Sequence, residues 1–240
     1  MNKINKFWNF SVQNNERVLR LDGAISQDTW WGDEITPQIF RDELESGTGD
    51  IVVFVNSPGG DVFAASQIYT MLKEYALKSG KVTIKIDGLA ASAASVIAMA
   101  GTEVLMSPVS YMVIHNPATI AIGDGEEMLR AKAMLDEIKE GIINAYESKT
   151  GLPRSEISRL MNEESCFNAK KAVELGFADD ILYNENPVTN NTPVIFSRIL
   201  ATNSLLNKLP QKSTKGITAY DEFMPELENI KYYRRENQYE

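Results

Sequence analysis

One cysteine and one histidine are all that 240 residues contain of the side chains most used to cross-link chains and to bind metals. With Cys166 alone, no intrachain disulfide framework can form, and a reducing compartment, the cytoplasm, is expected. With His115 the sole imidazole, and no carboxylate or thiol cluster at ligand spacing, no metal or other cofactor is expected. Positive charge is also short. The 24 Lys and Arg face 33 Asp and Glu, a formal net charge of −9, which argues against nucleic acid or an anionic membrane as a main partner. Long apolar runs are missing too: the longest, from Leu89 to Ala100, is too short and too rich in Ala and Ser to span a bilayer. The opening residues, Met1 to Trp8, lack the apolar core of a signal peptide. What remains is an ordinary globular composition, 43% hydrophobic, in a chain long enough for one sizeable α/β domain plus an extension.

Periodicity sets out that domain. A strand pattern covers residues 17–21, after a start of thirteen residues from Met1 to Gln13, and Val52 to Val55 form a continuous apolar run typical of a buried parallel strand. Val62, Ala65, Ile68, Tyr69, Leu72, Tyr75 and Ala76 recur at helical spacing until Gly80. Strands are expected at 82–87, 103–106 and 111–115, with a small-residue helix after Ser92. The alternation indicates a layered α/β domain with mainly parallel strands. The longest helical pattern runs from 125 to 150. Its apolar stripe (Met128, Leu129, Met134, Leu135, Ile138, Ile142, Ala145, Tyr146) is interleaved with charge, as on a helix packed against its own core. From Asn184 the chain turns to linker-like residues, so residues 1–183 read as one domain and 184–240 as a linker and C-terminal extension.

Three strand ends carry candidate chemistry. The first is Gly88-Leu89-Ala90-Ala91-Ser92, where a strand runs into small residues and then a helix. A serine there either caps the helix or acts as a nucleophile whose oxyanion is held by free helix N-terminal amides. The second is Asn56-Ser57-Pro58-Gly59-Gly60-Asp61, whose glycines let the backbone approach a ligand closely. The third is Ile114-His115-Asn116-Pro117. Taken alone, His115 reads as a structural residue. Three such segments at strand ends are different, because ligand sites in open α/β sheets gather there.

In order and spacing, these three segments resemble signature motifs of the Clp protease proteolytic subunit family. A fourth, from Met161 to Asp179, extends the resemblance over residues 16–183. The resemblance implies a crotonase-type superhelix of repeated strand-strand-helix units with a projecting handle helix, here 125–150. It implies a serine endopeptidase working inside a ring of identical subunits, seven or fourteen in number, on protein or peptide substrates. Ser92 would be the nucleophile, His115 the general base, Glu164 the orienting acid, and the amides of Gly60 and Ala93 the oxyanion hole. The family usually has aspartate at the position of Glu164; a glutamate can hold the same hydrogen bond, and Glu163 is the neighbouring alternative. Ser95 reads as helix packing, and Cys166 as a small packing residue.

The short start and the Asp28-Thr29-Trp30-Trp31 stretch look more like the phage and prophage branch, which implies a head-maturation protease acting on capsid or scaffold proteins. The alternative is a proteolytic subunit served by a Clp-type ring ATPase. A crotonase-type acyl-CoA enzyme and a catalytically silent scaffold subunit stand behind these. The loop 118–123, after His115, reads either as a plain connection or as an edge that pairs with an extended substrate.

Overall fold

The computed structural model describes residues 6–25 and 37–183; Trp30 and Trp31, and the whole extension from 184, lie outside them. The described chain opens with an antiparallel hairpin of β1 (Trp8–Gln13) and β2 (Glu16–Asp22). Its two loop residues, Asn14 and Asn15, both have positive φ (48° and 65°), the requirement of a tight two-residue hairpin turn that asparagine tolerates well. The sequence pattern expects a first strand only at 17–21, so β1 is an addition. Trp8 is buried, edge-on to Phe7 and Phe40, and its indole N–H donates to Glu43 (2.8 Å).

The elements that follow are α1 (Pro37–Glu45), β3 (Ile51–Ser57), α2 (Val62–Lys78), β4 (Val82–Ala91), α3 (Ala93–Ala98), β5 (Glu103–Met106) and β6 (Tyr111–Val113). Next come α4 (Gly125–Thr150), α5 (Arg154–Asn162), β7 (Cys166–Asn168), α6 (Ala169–Glu174) and β8 (Asp180–Ile181). The eight strands form one sheet in the order β1-β2-β3-β4-β5-β8, with β6 on β4 and β7 on β6. All pairings except β1–β2 and β6–β7 are parallel. This is the mixed, largely parallel α/β architecture expected from the pattern.

β4 is longer than expected. Its first half pairs with β5 (Thr83↔Glu103 to Ile86↔Met106), and its second half pairs with β6 (Leu89↔Tyr111 to Ala91↔Val113). The sequence pattern ends this strand at 87, before the small residues 88–91, yet pairing on the edge carries them on as strand. On the other edge β3 lies parallel, with a register shift: Val55 faces Ile86 and Ser57 faces Ala90. Ile51, Val53, Val55, Val82, Ile84 and Ile86 are fully buried under α2 and α3, the inward half of an alternating strand pattern. α2 stops at Lys78 with Ser79 as C-cap, so the run closes at Gly80 as expected, whereas β6 stops at Val113, short of the expected 115.

α4 begins with a reciprocal capping box between Asp124 and Glu127 and ends at Gly151 in the left-handed region (φ 68°). Its apolar stripe is core only at one end. Ile142, Ile143, Ala145 and Tyr146 are buried, while Met128, Leu129 and Met134 are exposed, so the first half stands clear of the domain core. No helix among the described residues is long and apolar enough to cross a membrane.

Asp61 joins the glycine loop to α2 as its N-cap, accepting from the Ala64 amide (2.7 Å). Asp61→Ala is expected to lower stability by about 1 kcal/mol, read as a shift of the urea unfolding midpoint at unchanged slope.

Candidate active site

β4 delivers Ser92 to the point where the strand meets α3. Its backbone sits at φ 55°, ψ −126°, a conformation that costs a non-glycine residue about 1–3 kcal/mol. The Ser92 amide donates to the Val113 carbonyl (2.9 Å), continuing the β4–β6 ladder by one step. Although Ser92 is the N-cap of α3, its side chain makes no cap hydrogen bond. The capping role weighed from sequence therefore falls away, and a half-buried hydroxyl stands at a strained strand-to-helix turn.

The glycine loop reaches this turn from β3. Ser57, buried, accepts from the Gly59 amide (3.1 Å). Gly59 has φ 90°, and a Cβ there would lie 2.6 Å from the Ala91 carbonyl oxygen, 2.7 Å from Ser92 Cβ and 2.9 Å from the Ala93 nitrogen. Only glycine lets the two backbones come so close. Gly60 forms a parallel bridge to Ile25, made through its neighbours: Ile25 N–H donates to Gly59 and Asp61 N–H to Ile25, both at 2.9 Å. The Gly60 N–H shares a trans peptide with the Gly59 carbonyl that accepts from Ile25, so it faces away from Ile25. The Ala93 amide is the first of α3 and belongs to the helix turn whose N–H groups have no intrahelical acceptor.

The segments that carry His115 and Glu164 continue from an antiparallel pair, β6 and β7. Met112 faces Phe167, Val113 faces Cys166, and the Ile114 amide donates to the Ser165 carbonyl (3.0 Å). Continued by one more step, that register would pair His115 with Glu164. The His115 ring is half-buried, with Nδ1 closed off from solvent. β6 thus has Ser92 just past the end of one neighbouring strand, β4, and Glu164 two residues before the start of the other, β7.

Glu164 owes its place to the way α5 ends. Its amide donates to Met161 and the Ser165 amide to Leu160, both at 3.2 Å. This is the paired closure in which the residue after the cap turns left-handed, usually glycine; here it is Glu164 at φ 50°. Glu163, the other carboxylate considered from sequence, is the C-cap and points elsewhere: Arg159 Nη1 donates to both of its oxygens at 2.6 Å. That guanidinium, hydrogen-bonded to Glu156 and then Glu163, is held above its ordinary value. Cys166 lies in β7, and partial burial pushes its thiol up, away from a reactive thiolate.

Ser95 is more than filler in the helix. It is fully buried, donates from Oγ to the Ser92 carbonyl (2.5 Å), and lies 2.8 Å from the Tyr146 hydroxyl. Sequence reasoning missed Tyr146 at this place; its position in the α4 stripe marked it as apolar packing. Beside α3, Val62, Phe63, Val96, Ile138, Ile142 and Ala145 are among the residues lining an open, mainly apolar groove of about 340 Å³ between α2 and α4.

The sequence profile of the Clp protease family matches residues 5–185. The ATP-dependent Clp protease proteolytic subunit of Carsonella ruddii is 32% identical over 179 residues, covering 73% of this chain and 89% of the relative. The proteolytic subunit 2 of Treponema denticola is 28% identical over 176 residues (72% and 86%), and the subunit of Ligilactobacillus salivarius 27% over 175 residues (72% and 86%).

The left-handed Glu164 gives a direct test of strain at the site. Glu164→Gly is expected to raise stability by up to about 1 kcal/mol, the relief of a Cβ in that region less the entropy of glycine. Thermal and urea denaturation of the two proteins would check it; a destabilised variant would mean that the turn is not strained.

Proposed function

The chain belongs to the Clp protease family and is a serine-type peptidase, and we propose that Ser92, His115 and Glu164 form its catalytic triad. Ser92 Oγ attacks the scissile carbonyl while His115 takes its proton and later returns it to the leaving amine. Glu164 orients the imidazole and stabilises its cation. The Gly60 and Ala93 amides receive the negative charge that develops on the carbonyl oxygen. The observation that carries this reading is the shared register around β6, which sets Ser92 and Glu164 on either side of the segment ending in His115. The engagement of Glu163 with Arg159 favours Glu164 as the acid.

The biological setting follows the relatives. Those quoted are named as proteolytic subunits of an ATP-dependent Clp protease. We favour a subunit of a homo-oligomeric ring that works with a Clp-type ATPase over the head-maturation reading, for which those names offer no support. Clp proteases normally form such rings. The exposed Met128, Leu129 and Met134 on the free half of α4 suit a contact between subunits. The apolar groove beside α3 suits an apolar side chain next to the scissile bond. Ile120 and Ile122, both highly exposed on the strand-free stretch after His115, suit pairing with an extended substrate.

Labelling of the purified protein with a fluorophosphonate tests the nucleophile. The adduct is expected on Ser92 and is lost in Ser92→Ala. Hydrolysis of a short fluorogenic peptide amide then separates the two acids. Glu164→Ala is expected to lower kcat by about 10²–10⁴-fold, and Glu163→Ala to leave it within about twofold. Full activity of a folded Glu164→Ala protein would remove the triad as drawn.

A further inference from the structure

The Ser92 carbonyl is held by two hydrogen bonds from one residue: the Ser95 amide donates to it at 2.9 Å and Ser95 Oγ at 2.5 Å. Ser95 Oγ in turn lies 2.8 Å from the Tyr146 hydroxyl. Chemistry fixes the direction of this chain. A carbonyl oxygen can only accept, so the single proton of Ser95 Oγ is committed to Ser92, and the Tyr146 hydroxyl must donate to Ser95. Ser95 is fully buried, and Tyr146 nearly so, with its ring edge-on to Phe177 (5.4 Å between centroids). Burial pushes the Tyr146 hydroxyl well above its ordinary value, which keeps the proton it donates.

The Ser92 carbonyl and the Ala93 N–H belong to one planar trans peptide, so they point in opposite directions. Whatever fixes the carbonyl also aims the amide. The turn that carries this peptide is strained at Ser92, and a strained peptide persists only where its surroundings over-determine it. Hydrogen bonds in series also polarise one another, which makes the Ala93 N–H a better donor.

We propose that Ser95 and Tyr146 are positioning residues for peptide-bond hydrolysis: their hydroxyls, in series, pin the Ser92 carbonyl inward and thereby aim the Ala93 amide at the oxyanion. This rests on the assignment of Ser92 and Ala93 above. Neither residue touches substrate. Tyr146 ties the catalytic turn to α4, so the helix with the exposed apolar half also carries the last donor of the chain.

The test uses the full chain and three readouts: fluorophosphonate labelling, kcat and KM for a short fluorogenic peptide amide, and inhibition by a peptidyl boronic acid, which mimics the tetrahedral oxyanion. Ser95→Ala is expected to lower kcat about tenfold or more with KM nearly unchanged, and to weaken the boronate by a similar factor. Tyr146→Phe, which keeps the buried ring, moves both in the same direction by less. Adding Tyr146→Phe to Ser95→Ala costs little more, since Tyr146 acts through Ser95. Ser95→Thr, which restores the hydroxyl, recovers boronate affinity. If Ser95→Ala does not fold, Tyr146→Phe decides. Values of kcat and boronate affinity within about twofold of the parent in Tyr146→Phe, or a change in KM alone, overturn the proposal while labelled Ser92 leaves the triad standing. A parent protein that takes no label at Ser92 overturns the site and this proposal together.

Discussion

β4 is a single strand that must serve two neighbours on one edge, and the site exists because it does. β5 occupies its first half and β6 its second, so the sheet forks at Asp87 and Gly88. A Cβ at Gly88 would lie 2.6 Å from the Asn56 side chain, and the small residues that follow leave room for β3 and its glycine loop to close in. If β4 ended at residue 87, Ser92 would lose the Val113 carbonyl that anchors its amide. The glycine loop would lose the backbone it packs against. The fork is thus the constraint from which the Ser92 turn, the glycine loop and the histidine segment take their relative positions.

Strain gathers around that fork. Ser92 and Glu164 are both non-glycine residues at positive φ, and Gly59 and Gly60 are glycines whose Cβ would strike backbone. Elsewhere in the described chain, positive φ falls mainly on asparagine and glycine in turns, where it costs little. A fold that keeps serine and glutamate where glycine is easier gives up stability for the side chains themselves. The surrounding structure offsets this with local bonds: the Val113 carbonyl and Ser95 hold one turn, and the end of α5 holds the other.

The halves of α4 face different demands. Its last turns carry Ile142, Ile143 and Tyr146 into the core, next to α3 and the turn at Ser92. Its first turns keep methionine and leucine in solvent, an arrangement more costly for a lone subunit than for one whose copies cover them. One rigid helix therefore links a surface suited to assembly with the hydroxyl chain behind Ser92.

Much of this was legible in the sequence. The long helix came out with its boundaries because its caps and period agree over 26 residues, and the parallel sheet followed from apolar runs alternating with helical patterns. Ser92, His115 and the glycine loop stood out because each sits at a strand end, and the family resemblance named Glu164. Other features were hidden. β1 was missed because Trp8, Phe10 and Val12 take their strand from pairing with β2, and β4 was cut short because glycine and alanine carry little intrinsic strand preference. The choice between Glu163 and Glu164 could not come from composition, since it depends on where α5 turns left-handed and which carboxylate Arg159 takes. The partnership of Ser95 and Tyr146, 51 residues apart, was equally invisible. Local pattern thus determined the elements and the residue types able to do the chemistry. Only the packing of distant strands decided which segments lie side by side, because register and hydrogen-bond direction are properties of pairs that the linear chain does not contain.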